Sequence, residues 1–237
     1  MPTILITGAN RGLGLEFATQ YAADGWAVIA CCRAPQAAGE LEALAARYPM
    51  LQIEALDVRD HRAIEALGAR YRGQPIDVLL NNAGVIGPIP IAENIERQHF
   101  GRMDYELWQE VMETNTFAPL KMAETFVENI AAGEQKKIVN ISSQVSSIAE
   151  MTIPSIAYAS SKTALNRVMT IVAEQLGERG IIVAMFCPGY VKTRMDAFGF
   201  AMVEISESVS ALRPLIAALS IDDSGSFTRY DGKPIGW

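Results

Sequence analysis

Short segments that are apolar nearly from end to end alternate with longer stretches of helical pattern, and no other feature narrows the fold as far. The candidate strands are Thr3–Thr7, Ala27–Cys32, Gln52–Leu56, Val78–Leu80, Lys137–Ile141 and Ile181–Phe186, with a shorter seventh at Ser226–Tyr230. Continuous apolar runs imply burial on both faces, which is the situation of a parallel sheet covered by helices. Between them the pattern predicts helices over Gly12–Asp24, Ala37–Arg47, Arg62–Tyr71, Asp104–Ile130, Ile156–Arg179 and Ser206–Leu219. Asp104 and Ser155 suit N-caps, and Gly180 suits a C-terminal stop. Strict strand–helix alternation predicts an α/β fold, a single-domain Rossmann-type doubly wound parallel sheet of about seven strands. All 237 residues fit one such domain. Two segments break the rhythm, near residues 85–103 and 190–203; each follows a strand carboxyl end, where this architecture binds ligands.

Composition excludes several functions. With 20 Lys and Arg against 27 Asp and Glu, the net charge is -7, and no basic cluster offers itself to a nucleic-acid backbone. The three cysteines, Cys31, Cys32 and Cys187, lie in apolar runs. They fit small core residues better than a disulfide framework or a zinc site, so no metal is expected. No apolar run approaches a membrane span, and the start MPTILITG reads as a strand rather than a leader. A cytoplasmic protein is expected.

Directly after the first strand comes Thr7-Gly8-Ala9-Asn10-Arg11-Gly12-Leu13-Gly14. Gly8 permits a tight turn, Gly12 lets backbone approach a pyrophosphate, and Gly14 lets the helix pack close to the strand. The helix N-terminus then offers free N–H groups to phosphates. The candidate cofactor contacts in this turn are Gly8, Asn10, Arg11, Gly12, Leu13 and Gly14.

The spacing TGxxxGxG differs from the GxGxxG of many dehydrogenases and resembles that of the short-chain dehydrogenase/reductase family. Asn81-Asn82-Ala83-Gly84 after the fourth strand is similar to that family's NNAG element. Tyr158-Ala159-Ser160-Ser161-Lys162 is similar to its YxxxK element, and Pro188-Gly189 with Thr193 to its PG…T element. The resemblance runs through the whole chain in order. It implies cofactor contacts at Asn82, Ala83 and Gly84, at Pro188, Gly189, Val191 and Thr193, and at Tyr158 and Lys162, which hold the nicotinamide ribose. Thr193 would bind the nicotinamide carboxamide.

The cofactor expected is NADP(H). An NAD-specific second strand normally ends in an acid that grips the ribose hydroxyls; here Cys32 stands in that place and Arg33 follows. A guanidinium can hold a 2′-phosphate by paired charge-assisted hydrogen bonds, and the resemblance adds Arg11. Asp57-Val58 resembles the family's adenine contact, although Asp57 also suits a cap of the turn that follows.

Tyr158 and Lys162 share one helix face. A free tyrosine ionises near pH 10, and a neighbouring ammonium is expected to lower that value toward a useful range. By resemblance Ser143 hydrogen-bonds the substrate carbonyl beside Tyr158. Their separation, 158 − 143 = 15 residues, is slightly long for the family, which leaves Ser142 and Ser146 open. Asn115 resembles the family residue that holds a water linking Lys162 to solvent; a cap of a local kink is its other reading. The expected catalytic set is therefore Asn115, Ser143, Tyr158 and Lys162.

The function expected is NADPH-dependent hydride transfer to a ketone or aldehyde, with Tyr158 as proton donor. A non-catalytic NADP(H)-binding sensor and an alcohol dehydrogenase working oxidatively are the alternatives. A serine hydrolase lacks a GxSxG elbow and a partnered histidine at His61 or His99. The tail Ser224–Phe227 and Tyr230–Trp237 resembles that of sniffer-type carbonyl reductases and bacterial C-factor proteins. The resemblance also implies a homodimer or homotetramer pairing through Asp104–Ile130 and Ile156–Arg179, although monomers occur among carbonyl reductases. Ile148, Met151, Ile153, Tyr190, Met195 and Phe198 fit an apolar substrate pocket, or equally core or subunit contacts. In a carbonyl screen run side by side with both cofactors, NADPH should be preferred; a strong NADH preference would refute the roles of Arg11 and Arg33.

Overall fold

Every strand pairing in the computed structural model, which describes residues 1–150, 153, 155–196 and 199–237, is parallel. The strands are β1 (Thr3–Thr7), β2 (Ala27–Cys32), β3 (Leu51–Ala55), β4 (Val78–Asn81), β5 (Lys137–Ile141), β6 (Ile182–Cys187) and β7 (Phe227–Arg229). The helices are α1 (Gly12–Ala23), α2 (Gly39–Arg47), α3 (His61–Arg70), α4 (Ile91–Asn94), α5 (Tyr105–Met112), α6 (Ala118–Ala132), α7 (Ile156–Leu176) and α8 (Ile205–Ala218). The sheet order is β3-β2-β1-β4-β5-β6-β7. The chain winds one way from β1 to β3, then crosses back to β4 on the other side of β1. The carboxyl ends of β1 and β4 thus flank the switch point of a doubly wound sheet.

The continuous apolar strands are explained by helices on both faces. Leu5, Leu79, Ile138 and Val183 pack with Met122, Phe126, Leu165 and Met169 on one side. Ile4, Ile6, Val28, Leu80 and Val139 pack with Phe17, Val209, Leu212 and Ile216 on the other. Neighbouring strand residues point to opposite faces, so both sets must be apolar.

Strand ends shift by at most one residue from the sequence expectation, and one element differs in kind. The expected helix Asp104–Ile130 is α5 and α6 joined by a widened π turn at Glu113–Phe117. Pro119 has no N–H to continue the ladder, and the π turn buries Thr114, Asn115 and Thr116 at the break. Asp104 does cap α5, its carboxylate accepting from Leu107 N at 3.0 Å. Ser155 precedes α7, but its side chain makes no cap.

At the amino end of the sheet the buried Asp77 carboxylate joins three segments. It accepts from Thr3 N at 2.8 Å, Glu134 N at 2.9 Å and Gln135 N at 3.2 Å. Removing it leaves three donors without their partner, so Asp77→Ala should cost about 3 kcal/mol. Urea unfolding should show this as a lower midpoint with an unchanged slope.

Candidate active site

At the switch point the turn after β1 packs on the turn after β4. Thr7 Oγ1 accepts from Asn82 N and Ala83 N, both at 3.0 Å. Asn82 Nδ2 donates back to Thr7 O at 2.9 Å and Gly8 O at 3.3 Å. A Cβ on Gly14 would lie 2.3 Å from Gly8 O and 2.5 Å from Asn82 Nδ2, so no side chain fits there. What Gly14 admits is this double turn. Gly12, at φ +55°, instead faces open space, with Thr193 Cγ2 at 3.9 Å from where its Cβ would be. The Arg11 side chain makes no cap at the start of α1, and the first turn's N–H groups remain available to an anion. Leu13 packs partly into the core, and Asn10 sits half-buried in the same turn.

Three exposed arginines surround this turn. Burial lowers the Arg11 pKa, and the charges of Arg194 and then Arg33 lower it further. None of the three forms an ion pair among the described residues. Like charges gathered here, with the Asp57 carboxylate engaged by Arg59, favour an anionic ligand. Arg194 was not anticipated; its signal was a basic residue directly after Thr193. Asp57 makes the turn cap that the sequence also allowed. Its carboxylate accepts from Arg59 N at 3.0 Å and pairs with Arg59 Nη2 at 3.3 Å. Against burial, which raises it, these bonds hold the Asp57 carboxyl below its usual value. The side chain caps its own turn, while Val58 is buried.

The YxxxK helix and the NNAG turn meet on the far side of the cradle. Lys162 is buried, and its Nζ donates to Ile141 O at 2.8 Å. A Cβ on Gly84 would lie 3.3 Å from Asn115 Oδ1 and 3.5 Å from Lys162 Nζ. Asn115, fully buried in the π turn, ties these parts together. It accepts from Val85 N at 2.8 Å and donates to Val85 O at 2.8 Å and Ser161 Oγ at 3.0 Å. The π turn thus contains both the kink and the predicted site residue.

Of the three serines left open, Ser142 and Ser146 are buried in a network with Asn166, at 2.6 Å from each. Ser143 is half-buried, and its hydroxyl lies close enough to the Tyr158 phenol to favour the ionised form. Burial pushes that phenol up to about 12, with Ser143 opposing and Cys187 adding to the rise. The expected downward shift is therefore reversed. Burial dominates at Tyr158, and the Lys162 ammonium, held on the Ile141 carbonyl, does not offset it.

Beyond β6, Pro188 O accepts from Ser208 Oγ at 2.7 Å. Gly189 has φ +84°, and a Cβ there would meet the Tyr230 ring at 2.8 Å. Val191 bridges Val203, closing the loop that carries Thr193. Of the expected pocket residues, Ile148 is 81% exposed and faces solvent, Tyr190 is also exposed, and Ile153 and Met195 are half-buried. Met151 and Phe198 lie outside the described residues. A second unanticipated residue, Gln98, is buried beside α7; a lone glutamine in a variable loop carries no signal in sequence.

Residues 2–203 match the short chain dehydrogenase family. A carbonyl reductase from chicken fatty liver, solved with bound NADPH, is 31% identical with a TM-score of 0.89, over 100% of this chain and 99% of that one. The carbonyl reductase Sniffer of Drosophila melanogaster is 28% identical with a TM-score of 0.90, over 100% of both chains. An uncharacterised oxidoreductase of Schizosaccharomyces pombe is 27% identical over 251 residues, 96% of this chain and 94% of the relative.

Burial lowers the Lys162 pKa from 10.5 to about 8. Between those values the unfolded chain holds on this lysine a proton that the folded protein has released, so the Lys162 contribution to stability should rise with pH across that window. Lys162→Met lacks the group. Its stability relative to wild type should be highest below pH 8 and fall as pH rises toward 10.5, as urea midpoints in a buffer series will show.

Proposed function

The chain belongs to the short-chain dehydrogenase/reductase family, and from that premise we propose that it is an NADPH-dependent carbonyl reductase with Tyr158 as proton donor. The observation that carries this reading is the buried Lys162 of the YxxxK helix set against Gly84 of the NNAG turn, beside a glycine cradle whose three arginines form no ion pair among the described residues.

The residues present fit NADP(H). Gly12 leaves room for a diphosphate at the α1 N-terminus, and Gly8 and Gly14 set the turn that shapes it. Arg11 and Arg33 would hold the 2′-phosphate, with Arg194 adding a third positive charge. Gly84, Lys162 and Thr193 would face the nicotinamide end, with Asn82, Ala83, Pro188, Gly189 and Val191 setting the walls. When bound, the reduced nicotinamide supplies hydride.

The chain's own part is positioning and proton transfer. Ser143 Oγ and Tyr158 Oη would donate hydrogen bonds to the carbonyl oxygen as negative charge develops there. Tyr158 Oη then transfers its proton to that oxygen. The phenol carries its proton at neutral pH and so is loaded for this step, whereas the oxidative direction would need it deprotonated. Lys162 Nζ, charged below about pH 8, favours the phenolate left behind. Val85, fixed by Asn115, forms the wall between the cradle and α7. Exposed Phe117 on the π turn and Ile171 on α7 support pairing of two copies through these helices.

Purified protein should oxidise NADPH with ketones or aldehydes from a broad panel. Tyr158→Phe should lower kcat/KM by about 10³-fold while NADPH affinity by fluorescence titration falls by no more than about tenfold, the scale of one lost hydrogen bond; an unchanged rate would refute the role. Arg194→Ala should weaken NADPH binding about tenfold, the scale of one charged hydrogen bond, and leave NADH binding nearly unaltered.

A further inference from the structure

We propose that Gln98 is a positioning residue for Tyr158, capping the catalytic helix from the loop between β4 and α5; the inference rests on the reductase reading above.

The first N–H groups of a helix lack partners within it, and an N-cap side chain ordinarily supplies one. In α7 the residue at that place, Ser155, does not do so. Its hydroxyl donates instead to Gln98 Oε1 at 2.6 Å. The same oxygen accepts from Tyr158 N at 3.2 Å, which is the third helical residue and the usual target of a cap. Gln98 therefore performs from a distant segment the task that the local serine leaves undone.

Its other end is also fixed. Gln98 Nε2 donates to Ile86 O at 2.6 Å, two residues past Gly84. Gly87 makes room for this, since a Cβ there would stand 2.8 Å from Gln98 Nε2. The side chain is 1% exposed, so a missing partner would not be replaced by bulk water. One amide thus joins the segment leaving the NNAG turn to the backbone of Tyr158. The phenol hangs from that backbone, and small displacements of a reacting group are costly. Gln98 makes no contact with the reacting atoms; it sets the entry geometry of the helix that bears one of them.

Two substitutions separate this role from simple packing. Gln98→Met keeps the length and removes every hydrogen bond; Gln98→Glu keeps an acceptor for Tyr158 N at the helix N-terminus. Gln98→Met should lower kcat by about 30- to 100-fold, with the carbonyl KM within about threefold and NADPH affinity within about twofold. Gln98→Glu should restore most of kcat. Amide deuterium exchange, read on peptides spanning 155–162, should be faster in Gln98→Met than in wild type and return toward wild type in Gln98→Glu. Unchanged exchange and kcat in Gln98→Met would overturn the proposal, as would equal losses in both variants. If wild-type protein reduces no carbonyl, the reductase reading fails, and the exchange comparison alone decides whether Gln98 is the cap.

Discussion

The contact between the turn after β1 and the turn after β4 is the constraint on which the rest of the site depends. It is dense enough that a Cβ on Gly14 would sit 2.3 Å from Gly8 O. Thr7 and Asn82 exchange hydrogen bonds across it. The sheet order makes this contact possible, because β1 and β4 are neighbours whose connections leave in opposite directions. Once the two turns are locked, Gly84 and Val85 have nowhere to go but against Asn115 and the Lys162 ammonium. The glycine turn at the start of α1 and the YxxxK helix α7 are thereby held in one frame.

Inside that frame Lys162, Asn115, Ser142 and Ser146 take neutral partners rather than opposite charges. Lys162 rests on a carbonyl, Asn115 on a backbone pair, and Ser142 and Ser146 on Asn166. Burial then decides protonation, pushing Tyr158 toward the phenol and Lys162 toward the neutral amine. Both shifts follow from desolvation disfavouring charge. At the rim the logic reverses. Arg11, Arg33 and Arg194 keep their mutual repulsion, a cost that an incoming phosphate converts into attraction.

Much of this was legible in the sequence because its signals are local. Continuous apolar strands, the glycine spacing and the YxxxK pair each act over a few residues, and the sheet reproduced them within a residue. What sequence concealed depends on distant packing. The π turn at Asn115 follows from Pro119 meeting a helix that must also reach Val85 and Ser161. The upward shift at Tyr158 needs knowledge of how deeply its hydroxyl is buried. That Ser142 and Ser146 are engaged within the fold depends on Asn166, twenty or more residues away. Gln98 reaches α7 across sixty residues, and nothing in its neighbourhood marks it.

The most direct test is a single-turnover reaction of the protein with NADPH deuterated at C4 and a reactive aldehyde, followed at 340 nm and by mass analysis of the product. The expected result is loss of one NADPH per site, with deuterium on the former carbonyl carbon of the alcohol. Tight NADPH binding with neither absorbance loss nor deuterated alcohol, across a panel of aldehydes and ketones, would contradict carbonyl reduction as the work of this site.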